Sequence, residues 1–241
     1  MKFKKWVERY PWVWAVVGTL VLWMLISIIA GSVSLQSLLL NATLASFLIL
    51  IAFGQMTVIT SGDGAIDLSL PYIVTLAAFV SSKFMMGGNI KILPGLIITI
   101  LVCCFIGLLN GLINVYLKVP AIITTLAMGY IVFSLTLIYS YTTTGAPNPG
   151  IALFTKLRYG SLSSLTVLCV IIAVLLAIVM YKTKFGKQLH ATGQSRRAAE
   201  LAGINVNRTV ITSFLISAFL GAVTGVLLIL QRAYISSLTT P

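Results

Sequence analysis

Apolar residues run along the chain in seven long stretches that are nearly free of charge and are separated by short polar segments. A helix needs about 20 apolar residues to cross the hydrocarbon core of a bilayer. The pattern therefore predicts an all-α fold, a polytopic bundle of transmembrane helices near residues 12–30, 38–60, 68–86, 92–116, 120–141, 162–181 and 209–231. The first stretch is longer than the ~7–15 apolar residues of a cleaved signal peptide, which predicts an uncleaved span.

The composition excludes most classes of soluble protein. Of the 241 residues, 59% are hydrophobic and 8% are charged, whereas a soluble domain carries about 25% charged residues. A net charge of +12 can indicate a nucleic-acid partner. Here, however, the Lys and Arg residues lie in short segments between apolar runs, where they act as topology signals. We therefore expect a lipid bilayer around the chain and no nucleic-acid partner.

The distribution of basic residues predicts the orientation in the membrane. Eleven of the sixteen Lys and Arg residues fall on the side that holds the N-terminus, Lys118 and the segment 182–208. Because cytoplasmic loops carry the excess of positive charge, we expect the N-terminus and the segment 182–208 to be cytoplasmic.

Small residues recur at helical spacing in two of the predicted spans. Gly107 and Gly111 form one such pair, and Ser217, Gly221 and Gly225 form a longer stripe. Such stripes let helix backbones approach closely. The sequence leaves open whether these residues pack against helices of the same chain or at a subunit interface.

Motifs of catalysis, nucleotide binding and metal binding are missing from the sequence. It contains no G-x-S-x-G, no H-E-x-x-H and no P-loop G-x-x-x-x-G-K-[ST]. The three cysteines lie inside apolar runs without the spacing of metal ligands. We therefore expect no catalytic residues, no cofactor and no metal in this chain.

The segment 182–208 is the longest basic loop between two predicted spans. Ser195 is a good helix N-cap and Gly203 a good C-terminal stop, so we expect a short helix over 196–202 in which Arg196 and Glu200 form an i,i+4 pair. Its mixed basic and apolar surface suits docking into a groove of another protein. It equally suits a helix lying flat on anionic lipid.

Three segments carry a pattern in a fixed order along the chain. The first is Ile66-Asp67-Leu68-Ser69, and the second is Leu109-Asn110-Gly111 followed by V-P-A-I-I-T-T-L over 119–126. The third lies within 182–208 and consists of Gly186, Leu189, Ala191, Gly193, Ala198, Ala199, Gly203, Ile204 and Asn205. Together they resemble the permease subunits of bacterial ABC importers, in the branch that serves ribose and other simple sugars.

This resemblance implies one transmembrane permease domain over 1–241, with 182–208 as its cytoplasmic coupling loop. It implies three kinds of protein partner: cytoplasmic ABC ATPases that bind ATP and Mg²⁺, an extracytoplasmic sugar-binding protein, and a second permease subunit that forms a homodimer or heterodimer. Further spans are expected beyond Pro241. The residues expected to couple to the ATPase are Gly186, Leu189, Gly193, Arg196, Arg197, Ala198, Ala199, Glu200, Leu201 and Gly203.

The expected function is import of a neutral, ribose-like sugar across the bacterial inner membrane by alternating access. Four polar residues in or beside the spans are candidates for the pathway: Asn41, Gln55, Asp67 and Asn110. Interhelical hydrogen bonding is the alternative role for polar residues in spans. An ion-coupled secondary transporter and a membrane scaffold or sensor are the alternative functions.

Overall fold

The structure is a computed structural model that describes residues 12–29, 31, 35–85, 92–140, 158–159 and 162–239, with side chains over 13–29, 42–84, 92–140 and 164–231. Within these ranges the helices are α1 (Trp12–Ile29), α2 (Leu35–Thr60), α3 (Leu70–Met85), α4 (Ile92–Tyr116), α5 (Ala121–Ser140), α6 (Ser164–Lys182), α7 (Lys184–Gln194), α8 (Arg196–Leu201) and α9 (Val206–Thr239). Two short antiparallel strands, β1 (Arg158–Tyr159) and β2 (Leu162–Ser163), pair Arg158 with Ser163 and Tyr159 with Leu162.

The prediction of a helical membrane protein is confirmed. Five helical segments of the described chain are long and apolar enough to cross a bilayer: Ala42–Thr60, Ile92–Tyr116, Ala121–Ser140, Ser164–Lys182 and Val206–Gln231. Two shorter apolar helices, Val13–Ile29 and Leu70–Phe84, account for the other two predicted stretches. The count of seven spans and the cytoplasmic N-terminus stay predictions.

The chain divides into two compact units, residues 1–41 and 42–241. In the first unit, α1 exposes most of its apolar side chains, including Ile28 and Ile29, as a helix surrounded by lipid does. In the second unit, α9 is the central helix and packs against both α3 and α4. A buried cluster at this junction contains Ile73 and Ala77 of α3, Ile106 of α4, and Ala218 of α9.

Small residues allow this close packing of α9. A Cβ atom on Gly107 of α4 would lie 2.7 Å from the Phe214 carbonyl oxygen of α9, and one on Gly221 would lie 2.8 Å from Leu70 Cδ1 of α3. Gly225 packs directly on the backbone of α3 at Val74. Of the two arrangements that the sequence left open, these stripes therefore form contacts within the chain. The stripe on α9 does not need a helix beyond Pro241 or a sister subunit as its neighbour.

The predicted third span, 68–86, becomes helical only after a stretch of irregular backbone that begins before it. Residues 65–69 are not helical, and α3 begins only at Leu70, with Pro71 in its first turn, where a missing N–H is tolerated. Sixteen residues of α3 rise about 24 Å, which is less than the ~30 Å hydrocarbon core. The non-helical residues extend this segment and bring polar backbone into the interior of the unit.

Candidate functional site

Two short helices, α7 and α8, form the segment that the sequence singled out. Ser195 caps α8 because its hydroxyl accepts from the Ala198 N–H at 3.2 Å. Gly203 ends α8 with a φ of 79°, and the Gly203 and Ile204 N–H groups donate to the Glu200 and Ala199 carbonyls. This pattern is a Schellman motif. The cap and the stop were predicted, and the helix ends at Leu201 instead of residue 202.

The helix α7 was not predicted. Thr183 caps it and accepts from the Gly186 N–H at 3.4 Å. Its inner face carries Gly186, Leu189 and Gly193 at i, i+3 and i+7, and Leu189 is fully buried. The Thr183 cap and this spacing are the signals in the sequence from which α7 could have been predicted. A Cβ atom on Gly193 would lie 3.1 Å from the carbonyl carbon of Thr60, and closer still to its oxygen. The helix α7 therefore rests directly on the last turn of α2.

The ion pair of Arg196 differs from the predicted one. Arg196 Nη1 lies 2.9 Å from Asp63 Oδ2, so this guanidinium pairs with the loop after α2 and not with Glu200, its neighbour on α8. Asp63 is far away in sequence, and only the folded chain brings the two charges together. Because Arg196 and Asp63 are 30% and 65% exposed, the pair contributes little to stability on its own, about 0–1 kcal/mol.

The outer face of α8 is exposed, whereas its inner face is buried. Ala199 is buried in a cluster with Val58, Val206 and Phe214, which fixes the inner face. Arg197, Ala198 and Glu200 are exposed, and Leu201 is 82% exposed. An apolar side chain between charged ones, on a helix held firmly from behind, is a surface suited to contact with another molecule.

A polar cleft of about 460 Å³ lies beside this helix pair. Its walls come from three regions that are distant in sequence, represented by Asp63, Lys118 and Arg196. These regions all belong to the side that the charge pattern predicts to be cytoplasmic. Two buried atoms, Asn114 Oδ1 and Arg196 Nε, have no hydrogen-bond partner in the described part of the chain.

A second group of polar side chains lies buried between the helices, around Asp67. Asp67 is 2% exposed. One of its oxygens accepts from the Ser69 N–H at 3.0 Å and the Ser69 hydroxyl at 2.6 Å, and the other accepts from the Ser217 hydroxyl at 2.8 Å. Asn110 of α4 donates from Nδ2 to Ser69 Oγ at 2.8 Å. Both side-chain oxygens are therefore hydrogen-bonded inside the protein, as a buried polar group requires.

The non-helical backbone around Asp67 is held by two further side chains. With its amide orientation assigned from its partners, Gln55 donates to the Asp67 carbonyl at 3.1 Å and accepts from the Asp67 N–H at 3.2 Å. Thr125 Oγ1 accepts from the Leu68 N–H at 3.0 Å and lies 3.1 Å from the Ile66 carbonyl oxygen. Irregular backbone at membrane depth persists only where the protein satisfies it in this way.

The structure thus brings together three of the four pathway candidates. Gln55, Asp67 and Asn110 share one hydrogen-bonded cluster, whereas the side chain of Asn41 lies outside the described residues. Asn110 Oδ1 is buried without a partner among the described groups. Sequence reasoning named Ser69 in the Ile66–Ser69 segment and Ser217 in the small-residue stripe, but it assigned neither to this cluster, because their shared partner Asp67 lies 150 positions from Ser217. A role of these residues in the pathway stays a prediction.

The described residues contain no group of three or more His, Cys, Asp or Glu side chains that could hold a metal ion.

Residues 37–241 match the family described as "Branched-chain amino acid transport system / permease component". The chain is 32% identical over 205 residues to the galactose/methyl galactoside import permease protein of Haemophilus influenzae, covering 77% of this chain and 60% of the relative. It is 28% identical to the autoinducer 2 import system permease protein of Photorhabdus laumondii, covering 93% and 67%. It is 27% identical to an inner membrane ABC transporter permease protein of Escherichia coli, covering 75% and 56%. The chain thus spans about 60% of the length of such relatives, and no solved structure matches it.

Proposed function

The chain belongs to this family of transport-system permease components and is a multi-pass protein of the inner membrane, and from that premise we propose that it is the membrane-spanning subunit of an ATP-driven importer. Two such subunits, identical or different, enclose the pathway, and cytoplasmic ATPases supply the energy. An extracytoplasmic binding protein delivers the solute. In this arrangement the N-terminus is cytoplasmic and the chain crosses the membrane seven times.

The helix pair α7–α8 is the observation that carries this proposal. Its inner face is fixed to the bundle by buried Leu189 and Ala199 and by the ion pair of Arg196. Its outer face presents Arg197, Glu200 and the exposed Leu201. A helix pair that is packed firmly against the bundle on one face and exposed on the other can carry motion from a bound partner into the bundle.

In this proposal the energy comes from the partner ATPases, since the 241 residues contain no P-loop G-x-x-x-x-G-K-[ST] of their own. When the ATPases close on ATP, they push the helix pair that is seated on them. The differential affinity of the ATPases for the two permease states then shifts the equilibrium between inward-open and outward-open bundles.

The proposed solute is a neutral sugar or a sugar-like compound. A charged solute group in the membrane needs an oppositely charged partner, and the Asp67 carboxylate is already hydrogen-bonded at both oxygens. Two of the relatives are named for import of galactose or methyl galactoside and of autoinducer 2, which favours this class over the branched-chain amino acids of the family description.

Substitutions on the outer face of α8 test the role of the helix pair. In the complete importer in membranes, Leu201→Asp or Glu200→Lys should abolish solute uptake and binding-protein-stimulated ATP hydrolysis while leaving the protein inserted, since both side chains are exposed and contribute little to the fold. Leu117→Asp is the matched control, because Leu117 is 69% exposed just beyond the end of α4 and lies outside the helix pair. Wild-type uptake and ATPase activity in both variants would contradict the proposal.

Competition experiments test the solute class. Neutral pentoses or hexoses should compete for uptake, whereas amino acids and organic anions should not. Uptake of a branched-chain amino acid would contradict the sugar and leave the importer class intact. Uptake that persists without ATPase subunits and disappears with an ionophore would instead identify an ion-coupled transporter.

A further inference from the structure

The loop that follows α2 contains three consecutive left-handed residues. Gly62, Asp63 and Gly64 have φ values of 87°, 53° and 63°. Glycine adopts this conformation freely, but an Asp pays for it in strain. The turn reverses the chain within a few residues and sends it back beside α2. The position of Asp63 is thereby fixed with its carboxylate aimed at α8.

The outer end of this returning segment is attached to the helix pair at two points. Asp63 Oδ2 lies 2.9 Å from Arg196 Nη1. One residue earlier, a Cβ atom on Gly62 would lie 3.0 Å from the Cα atom of Gly193, so the loop and α7 meet backbone to backbone. A displacement of the helix pair is therefore felt directly by residues 62 and 63.

The inner end is attached to four different helices. Gln55 of α2 and Thr125 of α5 hold the backbone of residues 66–68. The Asp67 side chain then reaches Ser217 of α9 directly, and it reaches Asn110 of α4 through Ser69. Ser217 lies eleven residues from the start of α9, which is about 16 Å along its axis. The segment thus connects the surface to the interior of the unit.

We propose that residues 62–69 act as a strut that transmits movement of the helix pair to the buried cluster around Asp67, with Asp63 and Arg196 as positioning residues at its outer end. This inference rests on the proposed function, since it gives the path by which the partner's motion reaches the bundle. Only four residues separate Asp63 from Leu68, and both ends of this stretch are held, by the ion pair of Asp63 with Arg196 and by the hydrogen bond from the Leu68 N–H to Thr125. A push on the outer end therefore changes the contacts between α4 and α9 instead of being absorbed in a slack loop.

The Asp63–Arg196 pair is the part of the strut that can be removed without disturbing the core, because both side chains are partly exposed. Asp63→Asn keeps a residue that tolerates the left-handed conformation, and Arg196→Gln removes the other charge. Arg196→Lys keeps the positive charge. Arg208→Gln is the matched control, since Arg208 is an exposed cation in the first turn of α9, outside the helix pair and the ten residues expected to couple to the ATPase, and no ion pair of it is seen in the described residues.

The measurement is the number of solute molecules transported per ATP hydrolysed by the complete importer in proteoliposomes. Each single variant should lower this ratio by about fivefold or more. A factor of about five is the lower end of the range over which one site typically affects another at a distance. The double variant should be no worse than either single one, because both remove the same contact. Arg196→Lys should restore the ratio, and Arg208→Gln should leave it unchanged.

The outcomes separate this inference from the proposed function. If the wild-type chain shows no ATP-dependent uptake with its ATPase partners, the proposed function fails. If the wild type is active and Asp63→Asn and Arg196→Gln keep its ratio of transport to hydrolysis, or if their effects simply add in the double variant, the strut is refuted while the importer stands.

Discussion

Gly193 lies where α7 rests on the last turn of α2, and replacing it by alanine tests how closely the helix pair has to sit on the bundle. The added Cβ would lie 3.1 Å from the Thr60 carbonyl carbon and still closer to its oxygen. Comfortable contact between carbon atoms needs about 3.5 Å or more. Because the obstacle is backbone and not the end of a flexible side chain, the helix pair has to move away by on the order of 1 Å.

The expected cost follows from two opposing effects. Overpacking of this kind costs about 1–3 kcal/mol, and we expect the upper part of that range because neither backbone can yield easily. Alanine in place of glycine within a helix increases the stability of the helix by at most about 1 kcal/mol. The net loss is about 2 kcal/mol, and for a chain of this size that lowers Tm by about 4–8 °C.

The assay has two parts, thermal unfolding of the purified protein and solute transported per ATP in proteoliposomes. Gly193→Ala should lower both, because the helix pair no longer contacts α2 in its native position. Gly18→Ala on α1 is the matched control, since among the described residues its added Cβ would meet nothing within 4 Å beyond the neighbouring backbone of its own helix. It should leave transport unchanged and Tm equal or higher.

The opposite result would refute this reasoning. If Gly193→Ala unfolded at or above the wild-type temperature and moved as much solute per ATP as the wild type, α7 would not need its close seat on α2. The helix pair would then have to transmit motion by contacts other than those at Gly193.

Three other predictions concern orientation, the buried carboxylate and helix packing. Single cysteines replacing Lys4 and Gln194 in a cysteine-free background should both resist an impermeant thiol reagent in intact cells; labelling from outside would contradict the cytoplasmic orientation. Ser217→Ala removes one donor from the buried carboxylate and should cost about 1–3 kcal/mol, measured as a lower Tm; unchanged stability would mean that this bond is not formed. Gly225→Leu places a side chain against the backbone of α3 and should reduce the yield of folded protein in membranes, whereas Gly18→Leu should not; equal yields would disprove the close contact of α9 with α3.

Local features of the sequence predicted the long apolar helices and the short helix α8. Apolar runs located the membrane helices to within a few residues, since the bilayer sets the length of each run. Ser195 and Gly203 fixed the two ends of α8, because capping acts between residues that are neighbours in sequence. The helix α7 carried a cap and a face of the same kind, and its signal was present but weaker.

The contacts that make these helices a site depend on residues that are far apart in sequence. Arg196 could form an i,i+4 pair with Glu200, yet in the folded chain it pairs with Asp63. Asp67 and Ser217 are 150 positions apart, and their hydrogen bond exists because α9 packs between α3 and α4.

The non-helical backbone at 65–69 was equally hidden in the sequence. The hydropathy pattern placed residues 65–67 between two predicted spans and residues 68–69 at the start of the third, without stating their conformation. A helix would satisfy their backbone groups by itself. Here Gln55 and Thr125, from two other helices, satisfy them instead. Hydropathy and capping operate over one or a few turns and therefore determine the elements. Which buried polar groups form hydrogen bonds with one another is decided only when the helices pack. Packing determines which groups become neighbours, and it does so for all of them at the same time.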